Sequence, residues 1–360
     1  MVNIKNNNFM PTVSLPPGDT IRENMDYLGM TQKELAVRLS ITEKHLSHVL
    51  NGDSPITYDT ALKLESVIGP SAEFWMKLET NYQLHKYRLE EEGKLEEDLA
   101  VLKNIPYRDM AANGWVEKER DQKKKVYNTR DFFGVGSLSA IKKTYAVAFR
   151  THNSTTTISD YGVLAWLRKA EIEGIKKQVE KFDKPRLRKL VPRFRELTLL
   201  DPEEFYPELE RLCAEAGIAL ILAEYIPKTY ICGATLWRDN RAIVALSMRG
   251  KRVDVFWFTF FHEVAHLLNH TRKEVHINFE STDEEDQANE IASNYLISKK
   301  GYTDFIENYN FADKDEIRKY AEKIGIATYV LVGRLQHDKL IDYPNYNHLI
   351  PSFEIATTKT

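Results

Sequence analysis

Between residues 15 and 88 apolar positions recur at helical spacing in short bursts, each closed by a capping or turn residue. A polar stretch at 1 to 14 leads to Leu15-Pro16-Pro17-Gly18, which marks a turn into the first helical pattern. Thr31 and Glu34 have capping-box spacing ahead of Leu35, Ala36 and Leu39, so a helix starts at Thr31. Ser40-Ile41 breaks it. Thr42 then caps a helix of about two turns, with Leu46, Val49 and Leu50 on its buried face and Asn51-Gly52 as its stop. Amphipathic patterns over 58 to 68 and 73 to 87 follow, separated by Gly69-Pro70. From 89 to 200 the chain reads as charged and helical, with few strand signals. A helix is expected over 203 to 216, then β-branched and apolar runs at 218 to 222, 230 to 237 and 242 to 247. A strongly apolar helix over 253 to 269, an acid-rich loop and an amphipathic helix over 284 to 298 come next, and the remainder is helical. No repeat at solenoid periods is visible.

The pattern predicts a multidomain, mostly α chain with a small α+β part. An all-α domain spans 15–88, a helical connecting region 89–200, and an α+β domain with a small antiparallel sheet 201–345. The length of 360 residues agrees, since domains of roughly 150 residues give two or three cores. A net charge of -3 excludes a chain that coats nucleic acid or membranes through bulk electrostatics. Between 176 and 195 nine basic residues stand against two acids, but aromatics are nearly absent there, so a solvated helical face explains the run better than a phosphate-binding surface. Cys213 and Cys232 are too few for a disulfide framework and read as small buried apolar groups. The N-terminus has no export pattern, and the longest apolar run, 255 to 261, is too short to span a bilayer. A cytoplasmic location is expected.

The chemistry concentrates in His262-Glu263-Val264-Ala265-His266. Two imidazoles at i and i+4 lie on one helical face, one turn apart, the spacing that lets both bind one zinc ion. Histidines inside so apolar a helix are costly to bury unless a metal and its surrounding partners satisfy them. Glu263 projects beside them as a general base that takes a proton from the water attacking a peptide carbonyl and passes it to the leaving amine. A catalytic site needs a third protein ligand and leaves the fourth position open. The cluster Asp283, Glu284, Glu285, Asp286 offers it, in a helix that would return antiparallel over the pair. Glu285, nineteen residues after His266, is the preferred ligand, with Glu284 and Asp286 close competitors. His270 extends the face by a further turn, but three helical histidines at four-residue steps spread too far to converge on one ion, so it stands beside the site. One zinc per chain is expected. A substrate would enter as an extended strand beside the 242 to 247 edge.

From Val253 onward the chain resembles the ImmA/IrrE family of metallopeptidases, which pair HExxH with a downstream Glu in E-x-x-A-N, here Glu285-Asp286-Gln287-Ala288-Asn289. The likeness covers about 201 to 340, including GATLW, RAIVALS, FWFTFFHEVAH and VGRLQ at 332 to 336. It implies a zincin-like fold, a zinc-dependent endopeptidase that often cleaves a helix-turn-helix repressor, and Glu285 as the third ligand. Ile291-Ala292 stands where members commonly have F-A. Residues 15 to 88 resemble Cro/repressor-type helix-turn-helix proteins of the HigA/VapI antitoxin branch, through PPGDTIRENM, GMTQKELAVRLSI, LNGDSPIT and SAEFWMKLETNYQLHKYR. That resemblance implies that Gln32 holds a phosphate, that Glu43, Lys44, Ser47 and His48 face the major groove, and that Thr42, His45 and Asn51 flank them. Ser40 replaces the usual glycine of the motif turn. With eight Lys/Arg against ten Asp/Glu in 15–88, charge lends DNA binding no support.

The expectation is therefore a regulator that reads operator DNA, as a homodimer on two half-sites, and hydrolyses a peptide bond in a partner such as a repressor or a toxin-antitoxin protein. Its rival is an antitoxin-like autoregulatory repressor whose zinc domain is structural or sensory.

Overall fold

Capping residues and glycines set the helix ends of the N-terminal part, as the pattern requires. The computed structural model describes residues 16–144, 159–238, 240–247, 251–270, 275–277 and 283–352. The polar lead-in at 1 to 14 and most of the acid-rich loop lie outside them. The chain divides into two units between Glu97 and Asp98.

In the first unit α1 (Pro17–Leu28) opens with Pro17, whose missing N–H would have no partner in the first turn anyway, and closes on Gly29 at φ 63°. Thr31 caps α2 (Gln32–Arg38) by accepting from the Glu34 amide at 3.2 Å, and Thr42 caps α3 (Glu43–Asn51) by accepting from the His45 amide at 3.1 Å. Between α2 and α3, Ser40 takes φ 53°, so the turn keeps the left-handed form with a serine in the glycine place. A Cβ on Gly18 would lie 1.9 Å from the Leu50 carbonyl oxygen, so only glycine lets α1 rest on the last turn of α3. With α4 (Tyr58–Ile68) and the start of α5 (Ala72–Leu102) these helices bury Ile21, Leu35, Leu39, Leu46, Leu64 and Trp75 completely. The helix expected to end near 87 runs on to Leu102, because 88 to 102 contains no proline and its one glycine, Gly93, costs only about 1 kcal/mol in a helix.

The second unit begins with α6 (Tyr107–Ala112), α7 (Gln122–Phe133), α8 (Ile141–Thr144), α9 (Asp160–Lys176), α10 (Lys184–Glu196) and α11 (Pro202–Glu215). Four strands follow the order β1-β3-β2-β4: β1 (Ile218–Ala223), β3 (Arg241–Ser247), β2 (Gly233–Arg238) and β4 (Val275–Ile277). The small sheet is present but mixed, not wholly antiparallel: β2 is antiparallel to β3 and β4, while β1 runs parallel to β3. Instead of folding β2 back along β1, the chain from 224 to 232 carries it to the far side of β3, passing through left-handed Lys228 (φ 65°) and Tyr230 (φ 56°). Two consequences correct the sequence reading. Tyr230 cannot be in strand, and β3, flanked on both sides, has no edge to offer a substrate.

α12 (Val253–Asn269) runs through the middle of this unit, with Trp257, Phe260, Phe261 and Val264 wholly buried. Each such side chain contributes about 1.5–3 kcal/mol by leaving water. α13 (Asp283–Leu296) packs along it, and α14 (Lys299–Asn308), α15 (Lys314–Ile324), α16 (Thr328–His337) and α17 (Tyr343–Tyr346) complete the unit. Gly333 of the VGRLQ run lets α16 approach α12, since a Cβ there would lie 2.5 Å from Asp254 Oδ2. Arg195 donates to the carbonyl oxygens of Leu296 (2.8 Å), Ile324 (2.7 Å) and Gly325 (3.3 Å), holding the C-terminal ends of α13 and α15.

Candidate functional site

Helical repeat alone puts His262 and His266 on one face of α12, and the return of α13 brings Glu285 to both. His262 Nε2 lies 2.9 Å from His266 Nε2 and 3.0 Å from Glu285 Oε2, and His266 Nε2 lies 3.3 Å from Glu285 Oε1. Ligands about 2.0–2.2 Å from a tetrahedral zinc stand roughly 3.3 Å apart, so the trio has the size of one face of that tetrahedron. Glu285, not Glu284 or Asp286, joins the imidazoles in the group of ligand atoms gathered within 4.8 Å. All three side chains are buried.

The outer nitrogens are engaged as well. His262 Nδ1 lies 2.9 Å from Asn289 Oδ1, and with the proton on Nδ1 its Nε2 presents a lone pair. His266 Nδ1 lies 2.8 Å from His270 Nδ1. Lone pairs and a carboxylate converging at such distances repel unless a cation or proton stands among them, which is the condition a divalent metal meets. With protons in place of an ion between these groups, burial raises the Glu285 pKa, but hydrogen bonds from the Nε2–H of both imidazoles outweigh it and hold the carboxyl at about 2. Burial works to lower the His262 pKa, and the bond to Glu285 with the nearby carboxylates reverses this, so it ends raised.

Glu263 turns toward the sheet. Thr235 Oγ1 donates to Glu263 Oε2 at 2.6 Å, and a Cβ on Gly233 would lie 2.8 Å from Oε1 and 2.5 Å from Thr259 Cγ2. The Gly-Ala-Thr start of β2 is thus shaped to seat this carboxylate. Burial pushes its pKa up, against the pull of the two imidazoles and Thr235. A hollow of about 490 Å³, lined by Phe258, Asn289, Ser293, Ile297, Tyr302 and Arg334, lies beside Asn289, which meets the outer Nδ1 side of His262. Thr235 and Asn289 lie across the fold from their partners, so spacing along the chain gives no sign of their bonds.

In the first unit, Glu43, Lys44, His48 and Asn51 are exposed on the side of α3 away from Leu46, Val49 and Leu50, with Ser47 half-buried among them. His48 Nδ1 lies 3.5 Å from Asp53 Oδ2, and Asn51 Oδ1 accepts from Arg22 at 2.7 Å. Thr42 spends its oxygen on the cap of α3, and half-buried His45 supplies the capped amide. Gln32 Nε2 reaches the Glu43 carbonyl oxygen at 3.4 Å, tying α2 to the start of α3. Five of the nine basic residues at 176 to 195 are engaged within their own unit: Lys176, Lys177, Arg186 and Arg193 pair with Glu173, Glu210, Glu215 and Glu196, and Arg195 holds carbonyl oxygens.

Residues 21–75 match the helix-turn-helix family model, and residues 214–335 match the IrrE N-terminal-like domain. The Escherichia coli (strain K12) HTH-type transcriptional regulator YddM is 35% identical over 68 residues, 19% of this chain and 72% of that protein. The chain belongs to the HTH-type transcriptional regulators. This regulator is also similar to virulence-associated protein I of Dichelobacter nodosus, at 31% identity over 78 residues, 21% of its own length and 70% of that protein's. An addiction module antidote protein of the HigA family from Coxiella burnetii is 31% identical and covers 24% of the regulator and 94% of that chain, with a TM-score of 0.22. The Pseudomonas aeruginosa antitoxin HigA with higBA promoter is 23% identical, covering 24% and 95%, with a TM-score of 0.23. Both family resemblances read from the sequence hold, and the regulator's second unit carries a metallopeptidase-type domain. No helix among the described residues is long and apolar enough to cross a membrane.

Proposed function

We propose that this regulator binds operator DNA as a homodimer through the exposed face of α3, and that its second unit is a zinc endopeptidase acting on a partner protein such as a repressor. Lys44 and His48, with Glu43 and Ser47, read base edges. Thr42, His45 and Asn51 flank them, and Gln32 meets a phosphate at the start of α2.

One observation carries the peptidase reading: three metal-binding side chains converge, with nearest contacts of 2.9 to 3.3 Å between their nitrogens and carboxylate oxygens, beside a buried glutamate that is not among them. His262, His266 and Glu285 would hold the ion and leave its fourth position open, as a catalytic site requires. When bound, zinc supplies Lewis acidity to polarise a scissile carbonyl and acidify water. Glu263 takes the proton of the attacking water on Oε1 and returns it to the leaving amine. Thr235 occupies Oε2 and so fixes the carboxylate's rotamer. Asn289 keeps His262 turned with Nε2 inward. Phe258 and Ile297 give the hollow beside Asn289 an apolar floor suited to a substrate side chain.

The test is to incubate wild type, Glu263→Gln and zinc-stripped protein with the proteins encoded next to its gene, and to follow intact mass. Wild type yields a discrete fragment, while Glu263→Gln keeps about one zinc per chain and loses roughly 10²–10⁴ in rate. Equal cleavage by Glu263→Gln, or no wild-type fragment while DNA binding is intact, would replace this reading with the repressor whose zinc is structural or sensory.

A further inference from the structure

His270 is left over by the chemistry above, yet it touches a metal-binding imidazole. We propose that His270 is a positioning residue that locks His266 in its ligating tautomer and thereby tightens metal binding; the inference rests on the metal reading of the same site. The two Nδ1 atoms stand 2.8 Å apart, a hydrogen-bond distance that two neutral imidazoles can fill only with one as donor and the other as acceptor. If His266 donates, its proton is on Nδ1 and its Nε2 presents a lone pair to the ion. If His270 donates, the proton of His266 sits on Nε2, in the space shared with His262 Nε2 at 2.9 Å and Glu285 Oε1 at 3.3 Å, and blocks the metal. An acceptor at His270 Nδ1 therefore stabilises the ligating form of His266. His262 is held in the same way by Asn289 Oδ1 at 2.9 Å. His270 is kept in reach by the end of α12, where its own amide donates to the His266 carbonyl oxygen at 3.1 Å.

The experiment uses the full chain and measures zinc affinity by competition with a chelator of known strength, for wild type, His270→Leu and His270→Asn. The asparagine carbonyl oxygen stands close to where Nδ1 is and can only accept, whereas leucine removes the acceptor and keeps the bulk. His270→Leu is expected to bind zinc about 10–100-fold more weakly, the usual loss when the outer partner of a ligand is removed, and His270→Asn to stay within about threefold of wild type. Imidazole ¹⁵N shifts of the metal-free protein should show a smaller share of the Nδ1–H tautomer of His266 in His270→Leu than in wild type and His270→Asn. Matching thermal unfolding of the three metal-free proteins keeps a folding defect apart from the effect sought. Equal zinc affinity in wild type and His270→Leu would overturn the proposal and leave the metal reading standing, as would His270→Asn as weak as His270→Leu. A wild type that binds no zinc would overturn both.

Discussion

A single methylene group decides how Glu263 is seated. A Cβ at residue 233 would stand 2.8 Å from Glu263 Oε1 and 2.5 Å from Thr259 Cγ2, and neither neighbour is a loose surface side chain. Gly233→Ala is therefore expected to lower peptide cleavage by at least tenfold while leaving zinc content at wild-type level, since the three atoms nearest the added Cβ belong to Thr259 and Glu263 and not to the ligands. Loss of zinc together with activity would show that β2 supports the metal and not the base. Thr235→Val, which removes the 2.6 Å donor but keeps the shape, should likewise depress turnover more than substrate affinity. The two histidines were legible in the sequence because i, i+4 spacing fixes their relation without any knowledge of the fold. Glu285 needed the return of α13, and within Asp283 to Asp286 the spacing alone left neighbours in contention. The bonds of Thr235 and Asn289 span 28 and 27 residues, and nothing in the local sequence announces a partner at that range.

Helices and strands differ in how much of themselves they show in sequence. The caps of α2 and α3 are written in Thr31 and Thr42, because a capping bond closes within three residues. Strand pairing is not local, so β1, β2 and β3 could be expected as strands while the parallel β1–β3 pairing could not. The end of α5 was missed for a related reason: a helix stops where a breaker or a cap stops it, and a change from apolar to charged composition is neither. Ser40 offers a direct test of local cost. At φ 53° a side chain is disfavoured by about 1 kcal/mol, and glycine is not. Ser40→Gly should raise unfolding stability by up to about 1 kcal/mol, reduced by the entropy glycine gains in the unfolded chain, as measured by urea denaturation. A loss of stability would show that the serine hydroxyl supports the turn.

At the scale of the whole molecule the sequence announced two kinds of chemistry, one in each part of the chain, and the matches at 21–75 and 214–335 fall on the same two stretches. Its net charge of -3 gives no bulk attraction to DNA, which leaves recognition to specific contacts. Lys44→Ala in the full chain should then reduce discrimination between operator and random duplex by about 1–3 kcal/mol, without change in zinc content or cleavage. Glu263→Gln should lose cleavage and leave both zinc content and operator discrimination unchanged. Binding titrations on both duplexes, run beside the cleavage assay, check the pair, and a Lys44→Ala protein that also fails to cleave would show that the two activities are coupled. The proposed metal trio has a mechanical side too. His266 and Glu285 belong to different helices, and an ion held by both would fasten the first turn of α13 to α12 across nineteen residues of chain, much as a covalent crosslink would. Amide hydrogen exchange in residues 283 to 289 should accelerate on chelation far more than exchange in the core of α12. The opening rate of one helical turn would then serve as a gauge of metal occupancy that needs no substrate.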